Sequence, residues 1–156
     1  AGLMRVYSDT VNMVNAPFLA KERGLDVREV RHDREGDYQT LVRVTVTTAN
    51  GDRSVAGTLF GHAQPRLVEL FGIKVEADLG GTMLYIVNQD APGFIGRLGS
   101  TLGEANVNIG TFHLGRRDQG GEAVLLLSVD GTVTEPLRWE ICNLTGVNQV
   151  KLLRFA

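Results

Sequence analysis

Residues 87–109 read VNQDAPGFIGRLGSTLGEANVNI. A short apolar strand, residues 83–87, runs into the polar turn Asn88-Gln89-Asp90-Ala91-Pro92-Gly93. Beyond it Ile95, Leu98, Leu102 and Ala105 recur at spacings of three and four. That period predicts a helix with one apolar face. Asn106 closes it, and a second strand runs over residues 107–116.

The rest of the chain is read outward from this unit. Asp118-Gln119-Gly120-Gly121 turns the chain, and residues 123–129 return as a hydrophobic strand. Thr134-Glu135-Pro136 opens a second helix with a capping hydroxyl and an early proline. Leu137, Ile141 and Leu144 give its buried face, Gly146 ends it, and residues 147–155 form the last strand. The order β-α-β-β-α-β predicts an antiparallel sheet with both helices on one face, a ferredoxin-like domain over residues 82–156.

Upstream the pattern is more broken. Residues 1–7 read as the end of an element whose start is missing. Residues 10–15 alternate like a short strand. Asn15-Ala16-Pro17 starts a helix over residues 17–23, with Gly24 just past its end. Strands are expected over residues 27–32, 41–48, 53–60 and 66–75, with Val42, Val44 and Val46 on one face and a turn at Asn50-Gly51. Gly80-Gly81 is the expected boundary. The fold class is therefore α+β: a smaller α+β domain over residues 1–79, incomplete at its start, and the βαββαβ domain after it.

Composition narrows the function. The 156 residues are 43% hydrophobic and 22% charged, with a net charge of -2. This balance does not attract nucleic acid or an anionic membrane. Strand 122–128 has none of the stacking aromatics that RNA-recognition sheets carry. The single cysteine, Cys142, forms no intrachain disulfide and reads as a small buried hydrophobe. No run approaches the ~18 apolar residues of a membrane helix, and no signal peptide is present, so the expected location is the cytoplasm.

The chemistry-bearing stretch is the loop before the first helix of the second half. Helix-opening amides have no intrahelical partner and carry partial positive charge, so they suit a carboxylate. Gly93 admits a ligand close to the backbone. Asp90 can accept hydrogen bonds from an ammonium group, and Asn108 offers both a donor and an acceptor. Together they suit a free amino acid. Equally, Asp90 can simply cap the helix and Asn108 close a turn.

Residues 87–109 resemble the signature of ACT domains, which bind amino acids and regulate metabolic enzymes. Val11-Asn12-Met13-Val14-Asn15-Ala16-Pro17, Ala20-Lys21-Glu22-Arg23-Gly24 and Val55-Ala56-Gly57-Thr58-Leu59-Phe60-Gly61 resemble, in order, the intervening domain of the bacterial D-3-phosphoglycerate dehydrogenase family. The resemblance covers the C-terminal regulatory part of that family, an intervening domain followed by an ACT domain. It implies a part of L-serine biosynthesis that has no catalytic site, with NAD held on a catalytic portion elsewhere. It implies L-serine as a feedback ligand at an interface between two ACT domains of a homo-oligomer, contacted by Asn88, Asp90, Gly93, Phe94 and Asn108. Asn88 departs from the larger ring-bearing residue of some members. The resemblance also places Arg66 at an anion-binding position of the intervening domain, with Lys74 and His62 nearby. Asp78 and Ser128 stand where arginines are expected, and Arg66 can equally be a solvated surface charge. The β chain of an iron–sulfur L-serine dehydratase and a ligand-free dimerisation module are the alternative readings.

Other chemistry finds little support. No G-x-G-x-x-G follows a strand. His32, Asp33, Glu35 and Asp37 read as a polar hairpin tip, His113 as a packed strand histidine, and Ser100 and Ser128 lack a spaced His partner.

Overall fold

The computed structural model describes residues 2–5, 7–30, 38, 40–49, 51–61 and 63–155. The chain divides into two compact units, Ala1–Gly36 and Asp37–Ala156. The His32–Asp37 hairpin tip, the Asn50 turn position and His62 lie outside the described residues.

In the first unit two short helices, α1 (Gly2–Arg5) and α2 (Ala16–Glu22), bury Met4, Val11, Ala16 and Ala20 together. The strand expected over residues 10–15 is not formed. Asn12 Oδ1 accepts the Val14 and Asn15 N–H groups at 2.9 and 3.0 Å, and Asn15 Oδ1 accepts the Asn12 N–H at 2.8 Å. These local side-chain bonds take the backbone donors that a strand ladder needs. Residues 27–30 are likewise not strand.

The second unit holds two antiparallel four-stranded sheets. The first is a meander of β1 (Leu41–Thr48), β2 (Gly51–Phe60), β3 (Gln64–Leu70) and β4 (Ile73–Asp78). The single strand expected over residues 66–75 is broken into β3 and β4. Phe71 and Gly72, at φ of 52° and 79°, make a tight turn there, and this left-handed pair reverses the chain.

The second sheet is built from β5 (Thr82–Gln89), α3 (Phe94–Glu104), β6 (Asn108–Arg116), β7 (Glu122–Asp130), α4 (Glu135–Cys142) and β8 (Val147–Arg154), in spatial order β6-β7-β5-β8. Thr134 caps α4 as expected, its hydroxyl accepting the Leu137 N–H at 3.3 Å. Ile95 is half exposed because Phe94, one residue earlier, takes the buried position. Cys142 is exposed, against expectation. It lies a hundred degrees around α4 from Ile141, which fills the core slot.

The two central strands are buried on both faces. Leu84 and Ile86 of β5, with Leu125 and Leu127 of β7, meet Phe94, Leu98, Leu102, Leu137 and Ile141 beneath the helices. Met83, Tyr85 and Val87, with Val124 and Leu126, pack against Leu67, Ile73, Val75 and Ala77 of the first sheet. Strands wedged between helices and a second sheet read as continuous apolar runs rather than as alternation. The expected boundary at residues 80–81 thus falls between two sheets that share one apolar layer.

Candidate functional site

The loop from β5 to α3 is fixed by its backbone. The Gln89 N–H donates to the Gly146 carbonyl at 2.7 Å and the Asp90 N–H to the Gly121 carbonyl at 2.8 Å. Gly93 is the N-cap of α3, at φ 82° in the left-handed region, a conformation in which glycine has no Cβ penalty. No side chain caps the helix, so the opening amides after Phe94, whose N–H goes to the Ala91 carbonyl, keep their capacity for an outside acceptor. A Cβ on Gly93 would stand 3.0 Å from Arg97 Nη1. A guanidinium therefore lies over the same helix end and adds to its positive field.

Asn88, the last inward residue of β5, is 2% exposed. It follows Leu84 and Ile86 in the alternation toward the helices. Its Nδ2 donates to the Gln89 carbonyl at 2.7 Å, while its Oδ1 is buried without a partner. A buried acceptor left unmade is costly unless something supplies a donor.

Asp90 does not cap the helix. Its Oδ2 accepts Arg116 Nη1 at 2.8 Å and the Gly120 N–H at 3.2 Å. The hydrogen bond from Arg116, followed by that from Gly120, holds the carboxyl below its ordinary range. The Gln89 side-chain amide also donates to the Gly120 carbonyl. Phe94 is buried in the helix-side core and its N–H is taken by the Ala91 carbonyl at 3.3 Å.

Asn108 is not brought to this place within one chain. Gln89 pairs with Glu122, and Asn108 with Asp130, at opposite ends of β7. The eight-residue interval along the strand puts Asn108 about 26 Å from the Asp90 end of the sheet. Asn108 Nδ2 instead donates to Asp130 Oδ2 at 3.2 Å.

The anion candidates are on the first sheet. Arg66 is neither free nor simply solvated: its Nε lies 2.9 Å from Asp78 Oδ1, and its guanidinium stacks on Phe60, 5.0 Å from the ring centre. The aspartate in an expected arginine position is thus its partner. Lys74 is opposite Glu69 in the β3–β4 register. Among the described residues no group of three His, Cys, Asp or Glu side chains could hold a metal ion, and no helix is long and apolar enough to cross a membrane.

Sequence reasoning missed Arg116, Arg97 and Gly120. Gly120 was legible only as a turn residue, and Arg116 reaches Asp90 across 26 positions of sequence. Only Arg97, four residues after the N-cap and on the first turns of the helix, carried a local signal.

Fold and geometry together define an α+β protein with two stacked antiparallel sheets and an uncapped, cation-flanked helix end. Residues 1–71 match the D-3-phosphoglycerate dehydrogenase intervening domain. The chain is 39% identical to the D-3-phosphoglycerate dehydrogenase of Bacillus subtilis over 92% of its length. It is 32% identical to the enzymes of that name from Synechocystis and Methanocaldococcus jannaschii, over 93% and 92% of its length. It spans about a quarter of the length of these curated relatives, between 26% and 27%. The chain thus resembles the C-terminal regulatory region of bacterial D-3-phosphoglycerate dehydrogenase, as its motifs imply.

Proposed function

We propose that this chain is the amino-acid-sensing regulatory portion of a D-3-phosphoglycerate dehydrogenase, and that its ligand is L-serine acting as a feedback signal in L-serine biosynthesis. In this reading residues 82–156 are a ferredoxin-like ACT domain. The element order and the strand order β6-β7-β5-β8 support that assignment. The catalytic chemistry, with its NAD, belongs to a part of the enzyme outside this chain, which acts in the cytoplasm.

The observation that carries the proposal is the unpartnered Asn88 Oδ1 at the end of β5, on the strand that leads into the uncapped start of α3. With its amide nitrogen already committed, Asn88 offers only an acceptor, as an ammonium or hydroxyl group requires. The α3 amides and Arg97 supply the complementary donors for a carboxylate.

The position of Asn108 supports a site shared between two copies. β6 is the outer strand of its sheet, with Phe112 and Leu114 exposed along it. An exposed edge is a template for pairing with another chain. Antiparallel pairing of two β6 strands about their middle sets Asn108 of one copy opposite Arg116 of the other. This joins the two ends that a single chain holds apart.

Isothermal calorimetry with L-serine on the purified chain, beside thermal shifts with the full set of amino acids, tests the reading. A ligand that binds only the folded state raises its melting temperature. L-serine binding with one site per chain, accompanied by dimer formation, is the expected result. A chain that dimerises without any amino-acid response is instead a dimerisation module, and the sensor reading is then wrong.

A further inference from the structure

Asp90 Oδ2 has two partners within the chain itself. Two donors converge on one carboxylate oxygen, the Arg116 guanidinium at 2.8 Å and the Gly120 N–H at 3.2 Å. An ammonium group that bonds Asp90 at Oδ2 competes with these two donors for that oxygen. The two partners differ in how they are held. Gly120 belongs to a turn tied to the β5–α3 loop through the Asp90 N–H to Gly121 bond and the Gln89 side-chain bond. Arg116 stands on the outer strand of the sheet, with its side chain 54% exposed against 23% for Asp90. The backbone donor is fixed, and the guanidinium is free to swing outward.

We propose that Arg116 is an internal stand-in for the ligand's ammonium group, a latch that an amino acid displaces when its ammonium takes Asp90 Oδ2. This rests on the sensor reading and adds a competitor to it. The latch makes apparent affinity the difference between two pairings of one carboxylate. It also sets selectivity. An α-amino acid brings a cation that replaces the guanidinium, whereas a hydroxy acid of the same shape leaves Asp90 better paired with Arg116. The released Arg116 sits at the edge where a second copy pairs, so displacement changes the charge presented along β6.

The test compares L-serine titrations of the wild-type chain, Arg116→Gln and Arg116→Lys, with the Arg116 side-chain Nε–H signal followed by NMR in the wild type. Removing the competing cation is expected to tighten L-serine binding by up to about fivefold, the range of an exposed ion pair. Arg116→Lys stays near wild type. The Arg116 signal shifts on adding L-serine and does not shift with L-lactate. Equal or weaker binding by Arg116→Gln overturns the latch, as does an Arg116 signal unmoved at L-serine saturation. Should Arg116→Gln fold poorly, the wild-type signal decides alone. If no amino acid binds any of the three proteins, the sensor reading fails and the latch fails with it, a result distinct from binding that ignores Arg116.

Discussion

Gly115 on β6 lies directly against the Lys74 carbonyl of β4, and a Cβ in its place would overlap that oxygen and stand 2.9 Å from Ile73 Cγ2. This contact lets the two sheets close over Met83, Tyr85 and Leu126. Gly115→Ala is expected to destabilise the chain by about 2–3 kcal/mol, as overpacking does in a rigid core. Urea denaturation measures it, and a midpoint equal to wild type would show that the sheets do not depend on this approach.

Tyr85 buries its hydroxyl between the sheets without a partner. Burial, reinforced by the nearby Glu122, pushes its pKa up to about 12. The folded value lies above the ordinary one, so the neutral hydroxyl's contribution is intact below pH 10 and is lost as pH climbs through about 12. Tyr85→Phe removes an unmade hydrogen bond and is expected to stabilise the chain by up to about 1 kcal/mol at neutral pH. A phenolate absorbance titration loses its step near pH 12 in this variant.

Arg43 and Glu69 form a two-bonded ion pair across the first sheet, with Nη2 to Oε2 at 2.8 Å and a second bond between Nη1 and Oε1. The hydrogen bond from Arg43 holds Glu69 below its ordinary value of 4.5, against the opposing effect of burial. A depressed carboxylate contributes stability above its unfolded pKa, and that contribution is lost as pH falls through the folded value. Acid denaturation of Glu69→Gln is therefore expected to show a flatter stability profile below about pH 4.5, with a difference at neutral pH of no more than about 1 kcal/mol after solvent screening.

Asn88→Ala separates recognition from folding. The variant loses the Nδ2 bond to the Gln89 carbonyl but no bond at Oδ1, so its melting temperature without ligand is expected to fall by only a few degrees. L-serine affinity is expected to fall at least tenfold, the loss of one hydrogen bond to a charged group. Retained affinity, measured by calorimetry, removes Asn88 from the site.

The parts legible in sequence were those with short-range signals. The 3.6-residue period of Leu98 and Leu102, the Thr134 cap and the β5-α3-β6-β7-α4-β8 order all appear as read. The misreadings came from competition that sequence does not show. Asn12 and Asn15 bond to nearby backbone instead of extending, and Phe71 adopts a positive φ that a bulky residue rarely takes. Arg66 read as an open choice between anion contact and solvated charge, and Asp78 claims it across the β3–β4 ladder.

The sequence by itself determined the helices, most of the strands and the glycine-opened loop that carries Asn88 and Asp90, because turns, caps and periodicity act within a few residues of chain. Only the tertiary structure decided that the two sheets share an apolar layer, that Arg116 occupies Asp90 and that Asn108 stands at the far end of β7. Those facts depend on strand order and register. Both are set by pairing between distant segments, and β7, inserted between β5 and β6, fixes which side chains of the candidate site meet within one chain.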